Sequence, residues 1–102
     1  MNIAEFHQAI ESVWERIEEE LDRQGCDVDC EVQGAVMTLT FDDDSQIVIN
    51  KQEAMLELWL ASKLGGFHFA YRDGEWLSAE NCSFWQHLEE AMARHGETVS
   101  FS

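Results

Sequence analysis

Basic residues are scarce in this chain: six Lys and Arg stand against 21 Asp and Glu, a net charge of −15. That shortage excludes the cationic footprint needed to hold nucleic acid or an anionic lipid surface. It points instead to metal cations or a basic protein partner. Long apolar runs are also missing. Nothing approaches the roughly 18 residues of a membrane span. The opening Met1-Asn2-Ile3-Ala4-Glu5 lacks both the basic start of a signal peptide and the Arg/Ser bias of a transit peptide. A complete, cytoplasmic protein with no membrane partner is expected.

Cysteine is sparse and poorly spaced for chemistry, with no C-x-x-C among Cys26, Cys30 and Cys82. On one strand, Cys26 and Cys30 would have Cα atoms about 13 Å apart, beyond disulfide reach. Reduced, partly buried thiols are the simpler reading. No Ser, Cys and His spacing suggests a triad, and no Gly-rich loop precedes a helix. Neither Asp27-x-Asp29 nor Asp42-x-Asp44 has the glycine that a calcium-binding helix–loop–helix requires at loop position six. No enzyme is expected.

What is present suits one globular domain over residues 1–102, with 45% apolar content. Linkers, repeats and low-complexity stretches are absent. Ile3, Phe6, Ile10, Val13, Trp14, Ile17 and Leu21 form an apolar stripe at helical spacing, predicting a helix from about 3 to 24 that Gly25 ends. The period then becomes two. Strands are expected at 26–32, 35–41, 46–51, 55–63, 67–71 and 75–77, with turns at Gln33-Gly34, Asp42–Ser45, Gly65-Gly66 and Arg72–Gly74. A second helix starts near Ser83, with Ser83 and Gln86 spaced as a capping box, and Gly96 closes it. Val99 and Phe101 then alternate in a tail laid on the core. The pattern implies an α+β fold, a two-layer α-β sandwich. An antiparallel sheet of five to seven strands would carry the N- and C-terminal helices on one face and leave the other uncovered.

Nine carboxylates fall within residues 11–31, against Arg16 and Arg23 alone. On a helix, Glu11, Glu15, Glu18 and Asp22 lie within about 60° of one another. Asp27, Asp29 and Glu31 then alternate with Val28, Cys30 and Val32, as on a strand with one dry face. The two rows are expected to merge into one acidic surface that holds hard, oxygen-preferring cations weakly and unselectively. A solvated face serving only solubility is the plainer explanation of such a run. His7, one turn before Glu11, offers a nitrogen donor. Glu19 and Arg23 are spaced i,i+4 in the favourable order, which would partly neutralise Glu19. His95, near the end of the second helix, is placed to favour the helix dipole when protonated.

In strand 55–63, Leu56, Leu58 and Leu60 share the inner side, so Trp59 belongs to the uncovered face with Val48, Asn50 and Gln52. His68 follows on the same side or close to it. An uncovered Trp among amides resembles the centre of a protein interface, although packing against cross-strand neighbours would also account for it.

Three runs together resemble the bacterial frataxin family: Ser45-Gln-Ile-Val-Ile-Asn50-Lys51-Gln52, Leu58-Trp59-Leu60-Ala61-Ser62-Lys63 and Gly65-Gly66-Phe67-His68-Phe69. The acidic opening helix, Trp76, Phe84-Trp85 and the ending Gly96–Phe101 agree, so the resemblance spans essentially the whole chain. It implies the frataxin sandwich fold and a role in iron–sulfur cluster assembly. It also implies weak Fe²⁺/Fe³⁺ binding on a ridge of Glu11, Glu15, Glu18, Glu19, Asp22, Asp27, Asp29 and Glu31. A monomer that docks on the cysteine desulfurase, and on the cluster scaffold protein, through that ridge and Asn50, Gln52 and Trp59 is the implied mode of action. The runner-up is iron storage or ferroxidase activity in an oligomer. A nucleic-acid mimic would spread its acids over the whole surface, which this chain does not. Three departures stand out, one being Arg23 where related helices often carry another acid. Ala54 occupies the family's usual proline position in a chain with no proline, and Asp43-Asp44 replaces a common Asn-Gly turn.

Overall fold

In the computed structural model, which describes residues 1–101, the first apolar stripe becomes helix α1, Ile3–Arg23. Asn2 starts it through a reciprocal cap: Glu5 N donates to Asn2 Oδ1 at 2.8 Å and Asn2 N donates to Glu5 Oε1 at 3.1 Å. Gly25, at φ +65°, ends it, and Cys26 N donates back to Leu21 O at 3.0 Å. Phe6, Ile10, Val13, Trp14, Ile17 and Leu21 are buried, while Ile3 in the first turn stays exposed.

Six strands follow as an antiparallel meander whose spatial order is its chain order: β1 (Asp29–Gln33), β2 (Val36–Thr40), β3 (Gln46–Gln52), β4 (Glu57–Ser62), β5 (Gly65–Arg72) and β6 (Glu75–Leu77). Helix α2, Phe84–Arg94, packs on the sheet face that carries α1. Ser83 caps α2 by accepting from Trp85 N at 3.1 Å, but Gln86 makes no return bond among the described residues, so the expected capping box is only half formed. The core between the layers joins the α1 stripe to Met37, Leu39, Ile47, Ile49, Leu58, Leu60 and Phe69 of the sheet, and to Phe84, Leu88, Ala91 and Met92 of α2. Val99 and Phe101 of the tail are buried in it, as their alternation predicts.

Three boundaries differ from the sequence reading. The first strand begins at Asp29, not Cys26, because residues 26–28 complete the exit from α1 and Asp27 N donates to Glu97 Oε1 at 3.1 Å. Cys26 and Cys30 therefore do not share a strand, and all three cysteines are free thiols. Residues Glu53–Met55 form a single 3-10 turn and Leu56 adopts a left-handed conformation at φ 54°. That shortens the fourth strand to Glu57–Ser62 and leaves Leu56 outside it, though still packed against the core. The β4–β5 connection is Lys63-Leu64, and the two glycines expected there as a turn pair within β5 opposite Ser62 and Ala61.

Between β2 and β3, Phe41 N donates to Ser45 O and Asp44 N to Phe41 O, both at 2.9 Å. Asp44 completes this turn at φ 66°, a conformation that costs an L-residue about 1–2 kcal/mol, against about 0.5–1 kcal/mol of backbone entropy for glycine. Asp44→Gly is expected to raise the unfolding free energy by up to about 1 kcal/mol in urea titration. Destabilisation would show that the Asp44 side chain offsets its own strain.

Candidate functional site

The apolar stripe of α1 faces the sheet, so the opposite side of the helix presents Glu11, Glu15, Glu18, Glu19 and Asp22 to solvent, all exposed. The two arginines of the segment lie elsewhere. Arg16 places its guanidinium 4.5 Å from the ring centroid of Trp85 on α2. Arg23 pairs with Glu20, Nε donating to Glu20 Oε2 at 3.0 Å, and not with Glu19 as the i,i+4 spacing suggested. Gln24 Nε2 also donates to Glu20 at 2.7 Å, and these two donors hold the Glu20 carboxyl below its usual range, Arg23 first. Among the described residues, Glu11, Glu15, Glu18, Glu19 and Asp22 have no ion-pair partner.

The two acid rows flank a free edge rather than lying in one plane. β1 is the outermost strand, paired with β2 alone. On the helix side of that edge, Glu18 and Asp22 line a groove of about 270 Å³ with Leu21, Cys26, Val28 and Cys30. Burial, helped by the Glu18 carboxylate, pushes the Cys30 thiol up to about 11, and burial also raises Cys26. On the far side, Glu31 lines a shallow depression with Gln33, Val36, Thr38, Thr40 and Gln46 on the uncovered sheet face, and Asp29 lies two residues along the same alternation. All these donors are carboxylate oxygens, which suits hard cations. Among the described residues, no three His, Cys, Asp or Glu side chains converge into a ready cage.

Two expected ridge members are engaged elsewhere. His7 Nε2 lies 3.1 Å from Glu53 Oε2, and its Nδ1 lies 3.4 Å from Lys51 Nζ. With lysine donating to one ring nitrogen and the other donating to Glu53, His7 has no lone pair to offer a metal. Asp27 belongs to a second acidic group past the end of α1, beside Asp42, whose carboxyl it raises, and Glu97, which accepts from Asp27 N. Nothing in the local pattern could have found this group, because Asp27 and Glu97 are 70 residues apart. Asp42 and Asp43 had been visible only as a polar turn.

The uncovered sheet face gathers the docking candidates. Asn50, Trp59 and His68 sit side by side on β3, β4 and β5. Trp59 stacks on His68 with ring centroids 4.2 Å apart and planes within 3°, and its Nε1 donates to Glu57 Oε1 at 2.9 Å. Trp59 is thus half-buried against a cross-strand neighbour, and it still borders a depression of about 150 Å³ with Val48, Asn50, Ala61, Gly66 and His68. Gln52 pairs with Glu57 two residues along the same strands.

A family model described as "Frataxin-like domain" matches residues 1–98. The chain is 71% identical over 101 residues to the iron-sulfur cluster assembly protein CyaY of Actinobacillus pleuropneumoniae serotype 5b, covering 99% of this chain and 100% of that one. It is 66% identical to the protein of the same name from Haemophilus influenzae strain PittEE, with the same coverage. In structure it is similar to frataxin from Psychromonas ingrahamii, with TM-score 0.93, 33% identity, and coverage of 100% of this chain and 99% of that one. Yeast frataxin superposes with TM-score 0.68 at 28% identity, over 92% and 85% of the two chains.

The thiol environments give a direct expectation. At pH 8 about one Cys30 in a thousand is thiolate, from its value of about 11. Cys82 is exposed and should be alkylated first by iodoacetamide, with Cys30 last, as peptide mass spectrometry will read. Fast modification of Cys30 in the folded protein would mean that the groove beside Glu18 opens.

Proposed function

The chain belongs to the frataxin-like family, and on that premise we propose that it is a non-catalytic regulator of iron–sulfur cluster assembly that docks on the cysteine desulfurase and binds Fe²⁺/Fe³⁺ weakly. Glu11, Glu15, Glu18, Glu19 and Asp22 form the centre of the cation-binding ridge, with Asp29 and Glu31 across the sheet edge. Asn50, Gln52, Trp59 and His68 form the neighbouring contact face, which the scaffold protein shares. The observation that carries this reading is the row of unpaired carboxylates on α1, from which both nearby arginines are drawn away. Glu11–Glu15 and Glu18–Asp22 repel at i,i+4, and Glu15–Glu18 and Glu19–Asp22 at i,i+3, each costing about 0.2–0.5 kcal/mol. A surface serving stability alone would interleave bases.

The donors fit iron loosely. Exposed carboxylates suit a hard cation, but they must be gathered from solvent, so weak and unselective binding is expected. When bound, iron supplies the cargo or the signal that the assembly machinery reads. The chain's own part is to hold a high negative charge density on a rigid helix beside a flat aromatic face. A basic surface on the desulfurase complements the ridge by long-range attraction, and Trp59 supplies the central apolar anchor.

Glu18→Lys, Glu19→Lys and Asp22→Lys together are expected to abolish iron binding and desulfurase affinity with unchanged circular dichroism. Wild-type affinity should fall steeply with salt, since exposed charges are screened within about 8–10 Å at physiological ionic strength. Desulfurase binding that survives the triple change would remove the ridge as the docking surface. Trp59→Arg separates the two surfaces: it should weaken docking while leaving iron binding in place. A ferroxidase or storage role would show instead as saturable iron oxidation by an iron-loaded oligomer in sedimentation.

A further inference from the structure

Away from the ridge, the end of the molecule where α2 finishes holds a closed hydrogen-bond circuit. Lys63 N donates to His95 Nε2 at 3.3 Å, and Ser45 Oγ lies 2.7 Å from His95 Nδ1. The Ser45 hydroxyl gives its single proton to Asp43 Oδ1, so the bond between serine and imidazole requires a hydrogen on Nδ1. Lys63 Nζ closes the circuit on Asp43 Oδ2 at 3.0 Å. These bonds fix His95 as the neutral Nδ1–H tautomer, with the Nε2 lone pair committed to a backbone amide. They also link three elements that are otherwise separate: the β2–β3 turn, the β4–β5 turn and the end of α2.

His95 is 7% exposed and stacks on Phe41, ring centroids 4.7 Å apart. A proton added to Nε2 would face the Lys63 N–H, turning an attractive contact into donor against donor. We propose that Lys63, His95, Ser45 and Asp43 form a proton-sensitive clamp that fastens the end of α2 and the tail after it while His95 is neutral, and releases them when His95 is protonated. The tail is also held beyond the clamp, by Gln24 through the Ser100 backbone and by Glu89, which accepts from Phe101 N at 2.7 Å, so release acts on it through its anchor at Gly96. Gly96, at φ +97°, turns the chain directly after the clamp, and Val99 and Phe101 reach the core only beyond it.

The charged groups around His95 are Asp42 and Asp43 from the β2–β3 turn, Lys63 from the β4–β5 turn, Glu97 after α2, and Asp27 from the exit of α1. Burial and the Lys63 ammonium lower the His95 pKa, with Asp43 opposing them. The helix-dipole stabilisation of a protonated His95, expected from sequence, is therefore outweighed. A depressed folded-state value means that the unfolded chain takes up the proton first. The clamp's contribution is complete above about pH 6.5 and is lost as pH falls below it. Asp42, whose carboxyl is raised, acts in the opposite direction, in the carboxylate range at lower pH.

An NMR titration of the full chain from pH 7.5 to 4.5 tests this. The ring nitrogen shifts of His95 should report the Nδ1–H tautomer at pH 7.5. Its midpoint should lie below 6.5, and the Lys63, Val99 and Phe101 amides should shift and lose exchange protection at that same midpoint. In His95→Gln those amides should show no such step. An Nε2–H tautomer, tail amides that stay unmoved while His95 titrates, or a step that persists in His95→Gln would each overturn the clamp.

Discussion

Everything functional on this molecule depends on how α1 is seated. Six apolar side chains of its inner stripe are buried, each worth about 1.5–3 kcal/mol, an upper bound of roughly 9–18 kcal/mol. The like-charge pairs on the outer face oppose this by about 0.2–0.5 kcal/mol each, a small fraction of it. The core therefore dictates the helix rotation, and the repulsion on the ridge is tolerated because it cannot turn or unwind the helix. A concentrated negative surface is thus held rigidly by forces that do not involve it.

The same layer arrangement makes the second surface. Because both helices cover one face of the sheet, alternation along β3, β4 and β5 sends Asn50, Trp59 and His68 to the other face. There the stack of Trp59 on His68 gives a flat, preformed aromatic platform. Separated by β2 from the strands that carry this platform, β1, the acid-bearing edge strand, borders the ridge. Its charges also guard an unpaired backbone edge against strand addition by other chains. The frataxin-like plan thus places an electrostatic surface at the β1 edge and an aromatic surface on the uncovered face of β3, β4 and β5.

The periodic signals were legible in the sequence because they come from burial, which local spacing records. Both helices, the two-layer order, the uncovered position of Trp59 and the burial of the tail all follow from periods of 3.6 and 2. Local spacing does not record contacts with partners distant in sequence. Asp27 is drawn from the ridge by Asp42 and Glu97, and His7 is held by Lys51 and Glu53. His95 is buried neutral between two turns. Arg23 choosing Glu20 over Glu19 is a subtler case, since i,i+3 and i,i+4 spacing are both within reach and Glu20 is also fixed by Gln24. Leu56 left its strand because the preceding 3-10 turn needed a left-handed residue to end it, a demand invisible in an alternating leucine pattern.

The central claim is that the cation site is the outer face of α1 and not the second acidic group around Asp42. Paramagnetic broadening of amide resonances on titration with Mn²⁺ or anaerobic Fe²⁺ tests it most directly. Resonances of Glu11, Glu15, Glu18, Glu19 and Asp22 should vanish first, at low metal ratios, with Asp29 and Glu31 next. Broadening that begins at Asp27, Asp42 and Glu97, or spreads evenly over every exposed carboxylate, would contradict the account.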